Sequence, residues 1–367
     1  MNPRLDRVSQ NENKLTLSFT NTNYSIINAL RRTIISDIPV VSFTTFPHEN
    51  NRCEIFKNTS GLNNEIIKHR LACIPVHLDP TSKTYETLKV VLKKKNDTDQ
   101  IMFATTGDFQ IYDTNTDKPL STADRNEIFP PNEITKYFID FVRLNPEISK
   151  EIPGEEIHLE AMLDINTAVK NGCYNCVSTC SYINTPDTIR ANDIWITKEK
   201  ELKALKTPKE KIESLKKDWF LLDANRIYIE NSFEFTIETI GIYSNENIFK
   251  MACTVLLNQL EELKDNITSG SVIINQPMST TENEYEVILE NIDFTIGKVI
   301  EYYMYEIYYN QRSVLTLCGF YKKHPHENYS ILRLALTEPS DKSIVNEYLI
   351  TCIEEAKKIF ATFNSKF

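Results

Sequence analysis

Alternating hydrophobic and polar residues near the start of the chain predict a half-buried strand followed by an amphipathic helix. In Lys14–Thr20, leucine or phenylalanine at every second position alternates with serine or threonine, a period of two that is typical of a strand with one buried face. The turn Asn21–Asn23 then offers residues that can cap a helix. Apolar residues recur at helical spacing from Ile26 until Ile38-Pro39 stops the run. We therefore predict strand, polar turn and helix in this order.

The same order of elements recurs 270 residues further along the chain. A strand pattern over residues 285–289 precedes the polar turn Asn291–Asp293. The dipeptide Thr295-Ile296 stands where Ser25-Ile26 stands in the first copy, and a second amphipathic helix follows it. A constant offset between matching elements indicates an internal repeat.

Each copy closes with a long amphipathic helix, over residues 248–263 and 344–363. Burying one large apolar side chain contributes about 1.5 to 3 kcal/mol, and an exposed stripe of this size favours aggregation. The stripes therefore imply a partner surface, and we expect the helices of the two copies to bury one another. The residues predicted to make this intramolecular pairing are Ile26, Ile27, Leu256, Leu260, Ile296, Val299, Ile300, Tyr303, Leu349, Ile353 and Phe360.

Composition and charge exclude several classes of function. The chain has 51 acidic and 41 basic residues, so we expect no sequence-specific nucleic-acid binding through its own surface. It has no run of about 18 apolar residues that could span a bilayer, so we expect no membrane association. Its eight glycines are too widely spaced for a nucleotide-binding loop or a nucleophile elbow. The start of the chain lacks the apolar core of a signal peptide, which suggests a soluble intracellular protein with reduced cysteines and no disulfides.

Candidate chemistry is confined to one cysteine cluster and one basic segment. Cys173, Cys176 and Cys180 have metal-ligand spacing but lack a local fourth ligand, so a structural zinc ion would need Cys53, Cys73 or a histidine brought near by the fold. The alternatives are a redox or nucleophilic role, or ordinary reduced thiols, and we expect no cofactor. Residues 198–217 hold eight lysines and four glutamates and should form an exposed, locally basic helix or insertion.

An ordered series of motifs runs along the first part of the chain: Asn28–Arg32, Ile38-Pro39, Asn58–Ser60, Glu65–Pro75, Gly154–Ala161 and Phe235–Gly241. Two further motifs, Asp293–Lys298 and Gly319–Pro325, stand in the last hundred residues. The first series resembles the subunit 3 family, and the last two motifs resemble the subunit 11 family, of the alpha-like subunits of multisubunit RNA polymerases. A fusion of both families in one chain resembles the arrangement in large cytoplasmic DNA viruses of the asfarvirus type.

The resemblance implies an α+β fold in which two modules, each an antiparallel sheet with amphipathic helices, pair within one chain. The first module would comprise residues 1–46 and 182–266 and carry an inserted, mostly-β antiparallel domain at 47–181. Residues 267–283 would form the linker and 284–367 the second module. Such a tether would hold the two modules at an effective concentration near mM.

The resemblance also implies a function without an active site, namely assembly of a DNA-directed RNA polymerase. Its expected partners are the second-largest subunit, small zinc-containing subunits and the largest subunit within the complex. Arg32 is expected to be the charged anchor for the second-largest subunit, with Arg31 as its support. The full set of expected partner-binding residues is Asn28, Leu30, Arg31, Arg32, Glu65, His69 and Arg70.

Two other classes of function stay open at this point. One is a stand-alone enzyme that uses the Cys173 cluster, and the other is a nucleic-acid-binding module that uses Lys198–Lys217. The expected location is the host cytoplasm and the virion for a viral protein, and the nucleus for a cellular one.

Overall fold

The computed structural model describes residues 3–11, 13–82, 84–277 and 281–367. These residues form two compact units. The first unit contains the described parts of Met1–Ile34, Ser178–Glu238 and Asn245–Phe367, and the inserted unit contains those of Ile35–Val177 together with Thr239–Ser244. The division differs in its bounds from the predicted domains, because the inserted unit begins at Ile35 rather than at residue 47. Parts of both predicted modules lie in the first unit.

The described residues have a mixed helical and antiparallel architecture. The helices are α1 (Tyr24–Ser36), α2 (Asn64–Ala72), α3 (Thr122–Ile128), α4 (Thr188–Ala204), α5 (Lys209–Leu221), α6 (Asn245–Thr268), α7 (Phe294–Met304) and α8 (Lys342–Asn364). The strands are β1 (Arg4–Gln10), β2 (Lys14–Thr20), β3 (Val40–Phe43), β4 (Cys53–Asn58), β5 (Leu88–Lys95), β6 (Met102–Thr105), β7 (Gln110–Asp113), β8 (Lys118–Pro119), β9 (Asp140–Leu144), β10 (Glu156–Asn166), β11 (Val177–Pro186), β12 (Tyr228–Thr239), β13 (Ile273–Asn275), β14 (Glu284–Glu290), β15 (Leu315–Tyr321) and β16 (Tyr329–Leu336). The predicted α+β class is confirmed.

The first unit contains two four-stranded sheets that correspond to the two sequence copies. The strand orders are β1-β2-β12-β11 and β13-β14-β16-β15, and the antiparallel strand β2 lies between β1 and β12 just as β14 lies between β13 and β16. The inward positions of β2 are leucine or phenylalanine with no exposed surface, which is the alternation expected of a strand with one buried face.

The predicted repeat is present down to the backbone of the turns. Asn21 and Asn291 both adopt the left-handed conformation, with φ of 54° and 56°, which asparagine tolerates better than most residues. Two residues further on in each copy, a side chain caps the helix that follows. The side chain of Asn23 accepts a hydrogen bond from the Ser25 N–H at 2.9 Å, and that of Asp293 accepts one from the Thr295 N–H at 2.7 Å. Helices α1 and α7 therefore begin in the same way.

The inserted unit is mostly antiparallel sheet around one apolar core. Its main sheet has the order β3-β10-β5-β7-β8, with β4 also paired to β10, and β6 pairs with β9 separately. Stacked and edge-on phenylalanines join the strands to α3, as with Phe43 and Phe129 at a ring separation of 6.2 Å. The polar stretch 108–132 reads as long loops in the sequence, yet the structure forms β7, β8 and α3 there. Ser121 and Asp124 cap α3 reciprocally, and this capping box was the signal for it.

The predicted linker 267–283 is shorter in the structure. Helix α6 extends into it as far as Thr268, and strand β13 within it pairs with β14. Residues 278–280 of the linker, like residues 1–2 of the predicted first module, lie outside the described residues. The basic segment 198–217 forms most of a helical hairpin, α4 and α5. None of the helices in the described part of the chain has the length and apolarity needed to cross a membrane.

Candidate functional site

Helices α6 and α8, which belong to different sequence copies, pack against each other in the first unit. Aromatic side chains close one end of their contact: the ring of Phe19 from β2 lies 5.2 Å from that of Phe363, in an edge-on arrangement. The ring of Phe249 from α6 lies 5.1 Å from that of Phe367. Such aromatic pairs add about 0.5 to 1.5 kcal/mol beyond the area they bury. The two copies therefore share one core.

All eleven residues predicted for the intramolecular pairing are buried, with at most 6% of their surface exposed. Leu256 and Leu260 lie on α6, and Leu349, Ile353 and Phe360 lie on α8. The remaining six are on the helices that open each copy, α1 and α7: Ile26, Ile27, Ile296, Val299, Ile300 and Tyr303. Helix α7 packs on α8 and touches α6 as well. Gly297 permits a close approach on the other side of α7, because a Cβ there would lie 2.1 Å from the ring of Phe320.

Charged residues pair reciprocally between α6 and α8. Each helix carries the pattern Glu-Glu-x-Lys, at 261–264 and 354–357. Lys264 Nζ lies 2.7 Å from a carboxylate oxygen of Glu354, and Lys357 pairs with Glu261 in the same manner. The hydrogen bond from Lys264 lowers the pKa of Glu354 against the opposing effect of burial. Reciprocal contacts between like elements are the signature of a twofold interface, so this helix pair has the geometry of a dimer built within one chain.

These ion pairs contribute more to register than to stability. Their side chains are 23 to 47% exposed, and pairs exposed to this extent contribute about 0 to 1 kcal/mol each. The free energy of the pairing comes instead from the buried apolar stripes beneath them.

Arg32 makes a second polar contact between the copies. Its Nε donates to Thr295 Oγ1 at 2.8 Å, and its terminal nitrogen lies 2.5 Å from Asp293 Oδ2. The sequence favoured Arg32 as an anchor for another subunit, whereas the structure directs its guanidinium to the residues that cap α7. Leu30 is fully buried and cannot line a partner surface, which corrects that assignment. Arg31 is half-buried, and its Nε donates to Asn28 Oδ1 at 3.0 Å.

The Asp293 carboxylate is held in its charged form. Burial raises its pKa, but hydrogen bonds from Thr295 and Arg32 outweigh this, so the pKa lies below the ordinary value of 3.8. A lowered pKa in the folded state adds stability that is complete above the ordinary pKa and is lost as the pH falls through the folded one.

We predict that Asp293→Asn makes the chain less stable at neutral pH and removes part of its acid sensitivity. Asparagine still caps a helix, so the change isolates the charge. Because both partners are partly exposed, the coupling with Arg32→Ala should be about 1 kcal/mol or less. Thermal unfolding of both single variants and the double variant, from about pH 7 to pH 3, measures this coupling free energy and its dependence on pH. Additive effects of the two substitutions at neutral pH contradict a functional ion pair.

In the inserted unit, α2 presents Glu65 and His69 on its exposed face, one turn apart. Asn63 caps this helix by accepting a hydrogen bond from the Ile66 N–H at 2.9 Å. Both side chains line a cavity of about 560 Å³ together with Phe46, His48 and Lys68. Phe46 is 74% exposed. The sequence did not identify Phe46, His48 and Lys68 as site residues. The available signal for this site was the apolar ring of Phe46, directly before Pro47 in a polar stretch.

Arg70 makes two hydrogen bonds within the inserted unit. Its Nε and one terminal nitrogen donate to the backbone carbonyls of Phe141 and Asp140, at 2.8 and 2.9 Å. These bonds tie α2 to β9. Arg70 is exposed, and its predicted part in binding another subunit stays a prediction.

The cysteine cluster lacks the arrangement of a metal or nucleophile site. Cys173 is half-buried, and Cys176 and Cys180 are buried. In the described part of the chain, no three histidine, cysteine or acidic side chains are placed to hold a metal ion. Burial raises the pKa of Cys173 to about 11 and that of Cys176 to about 12, so neither thiol is ionised at neutral pH. The cluster thus gives no support to a zinc site or a reactive thiolate.

Comparison with known proteins gives one family and several relatives. The profile of the RNA polymerase Rpb3/Rpb11 dimerisation domain matches residues 16–260. The chain is 25% identical to the DNA-directed RNA polymerases I and III subunit rpac1 of Dictyostelium discoideum over 300 residues, which cover 72% of this chain and 82% of the relative. It is 25% identical to subunit RPAC1 of Saccharomyces cerevisiae over 67% of this chain and 82% of the relative. For human RPAC1 the identity is 24%, over 51% of this chain and 55% of the relative.

Proposed function

Because the chain belongs to the RNA polymerase Rpb3/Rpb11 dimerisation domain family, we propose that it is a non-catalytic assembly subunit of a multisubunit DNA-directed RNA polymerase. The reciprocal packing of α6 on α8 carries this proposal, since a scaffold subunit must present a fixed surface and the pairing creates one. The relatives, subunits of RNA polymerases I and III by name, favour this role over a stand-alone enzyme or a nucleic-acid-binding module.

The second copy supplies, in our proposal, the smaller mate that such subunits pair with. The family profile ends at residue 260, so support for this part rests on the repeated turn, sheet and helices of the first unit. Asn291, Asp293 and Thr295 repeat the backbone and capping roles of Asn21, Asn23 and Ser25. A fused pair of the asfarvirus type accounts for both copies in one chain.

Two surface patches are the proposed contacts with other subunits. On α1, Asn28 and Arg31 lie half-buried and hydrogen-bonded to each other at its surface. On α2, Glu65 and His69 border the cavity that contains Phe46. Aromatic rings such as the exposed ring of Phe46 are enriched at protein interfaces. We propose the second-largest subunit as the partner there, with a small zinc-containing subunit and the largest subunit elsewhere on the chain.

The proposal includes no cofactor, and a zinc ion at Cys173, Cys176 and Cys180 forms no part of it. The location follows the polymerase: the nucleus if the enzyme is of the cellular type to which the relatives belong, and the host cytoplasm and virion if it is viral.

We predict that Glu65→Lys weakens co-purification with the second-largest subunit by at least about tenfold. The reversed charge opposes an interface residue while leaving the fold intact, because Glu65 is exposed. Affinity purification through the full chain, followed by mass spectrometry, measures both the polymerase subunits captured and their ratio. The matched control is Glu147→Lys, an exposed glutamate outside this cavity.

Two results count against the proposal at different levels. Capture of no polymerase subunit by the wild-type chain contradicts the assembly role itself. Equal capture by Glu65→Lys and Glu147→Lys leaves the role intact and removes α2 from the interface.

A further inference from the structure

Two cysteines that are distant in the sequence meet in the inserted unit. Cys73 directly follows α2 and is exposed, and Cys173 lies half-buried in the short 3₁₀ helix Gly172–Tyr174. Their side chains are within hydrogen-bonding reach of each other. Ala72 and Asn171, which stand close to the two cysteines in the sequence, line the same cavity. The two segments therefore lie side by side, with one thiol facing the other.

Local hydrogen bonds set the backbone position of each cysteine. The N–H of Cys73 donates to the carbonyls of His69 and Arg70, at 3.3 and 3.2 Å, in the last turn of α2. The N–H of Cys173 donates to the side chain of Asn171 at 3.1 Å. Both thiols are free of a covalent partner. A disulfide has an S–S distance of about 2 Å, so the two sulfurs have only a short approach to make.

The surroundings of this pair suit a disulfide better than a metal ion. A structural zinc ion takes four ligands, and among the residues that the structure describes no three histidine, cysteine or acidic side chains are placed to hold a metal. Burial raises the pKa of Cys173 to about 11, and the nearby sulfur of Cys73 adds to this. Metal ligation needs thiolates, whereas Cys173 keeps its proton at neutral pH.

We propose that Cys73 and Cys173 form a reversible disulfide when the chain meets a peroxide. With hydrogen peroxide, the sulfur of Cys73 bonds to one oxygen, the O–O bond breaks, and the displaced hydroxide leaves as water with the thiol proton. The sulfur of Cys173 then attacks the sulfenic acid on Cys73. The S–S bond forms, the S–O bond breaks, and a second water molecule leaves with the proton of Cys173. The two thiols lose two electrons in all, and these reduce the peroxide to water.

Exposure and proximity divide the roles between the two thiols. Cys73 is exposed and is the thiol that a dissolved oxidant reaches. Cys173 is half-buried and protonated, so it reacts slowly with solutes, but its place beside Cys73 gives it a high effective concentration toward the sulfenic acid. A dithiol reductant reverses the bond by thiol–disulfide exchange. This inference does not depend on the polymerase role, because it rests on the thiol pair alone.

The test uses the full chain, first reduced and then treated with about one equivalent of hydrogen peroxide. The remaining thiols are blocked with N-ethylmaleimide, and the unreduced digest is mapped by mass spectrometry. We expect a cross-linked peptide that joins Cys73 to Cys173 and separates in dithiothreitol, with the loss of two of the eight thiols. Because the bond closes a loop of about 100 residues, the melting temperature of the inserted unit should rise by at least about 4 °C.

Two serine variants separate the thiol pair from the other cysteines. Cys173→Ser should leave Cys73 as a sulfenic acid that a dimedone probe labels, with no cross-link and no rise in melting temperature. The matched control is Cys318→Ser, which removes a half-buried thiol of the first unit and should form the cross-link as the wild type does. Equal melting temperatures of the reduced proteins establish that both variants fold.

Three outcomes overturn the proposal. One is that both thiols stay free after the peroxide treatment. Another is a disulfide that joins either cysteine to a different partner, in the same chain or in a second copy. The third is binding of one Zn²⁺ per chain that protects both thiols from peroxide and from N-ethylmaleimide, since this assigns the pair to a metal site.

Discussion

Ile353→Asp is expected to destabilise the chain by about 4 kcal/mol or more. Ile353 has no exposed surface and lies on α8, which packs on both α6 and α7. An aspartate there loses its hydration without gaining a partner, and the cavity left by the isoleucine adds to the cost. For a unit of roughly 150 to 250 residues, this corresponds to a fall in melting temperature of about 8 to 16 °C.

The matched control is Ala361→Asp, an exposed position on the same helix. It introduces the same charge into α8 without burying it, so a change of about 0.5 kcal/mol is expected. Thermal and urea unfolding of both variants measure the difference. Melting curves that coincide would show that the α8 stripe is not buried against the first copy.

The strongly periodic elements could be predicted from the sequence, and so could the residues on their buried faces. Strand β2 begins and ends at the predicted residues, Lys14 and Thr20. The offset between the copies was also visible, because Asn21 and Asn291 stand at turns that need the same left-handed backbone. Long runs of alternating or helical spacing have few other structures open to them, which explains the agreement.

Contacts between residues that are distant in the sequence could not be predicted from it. The contact of Arg32 with Asp293 spans 261 residues, and helical spacing gives the face of a residue without naming what lies opposite. Leu30 was assigned to a partner surface because it belongs to a motif, yet its spacing also placed it on the buried stripe of α1. The buried stripe was the better guide.

Small side-chain clusters and short elements could not be predicted from the sequence, for another reason. The core of the hairpin formed by α4 and α5 depends on Trp195 and Trp219, two residues in different helices that hold each other by a tertiary contact. The cavity beside Phe46 joins a loop to α2. Neither arrangement leaves a periodic trace, because each consists of one or two side chains per element.

The second prediction with a large effect concerns the connection between the two copies. A short tether raises the effective concentration of one copy near the other to about mM, but the apolar contact of α6 with α8 should be strong enough without it. A specific protease site inserted after Gly270, an exposed residue between α6 and β13, allows the folded chain to be cut there. The two fragments should remain together even at about 100 nM, far below the concentration that the tether supplies.

Native mass spectrometry of this cut chain is the most direct test of the paired copies. The account predicts one particle of about the intact mass, 42.5 kDa, that separates only in denaturant, and separation of the fragments once Ile353→Asp is added. Two independently folded fragments in native buffer would contradict it.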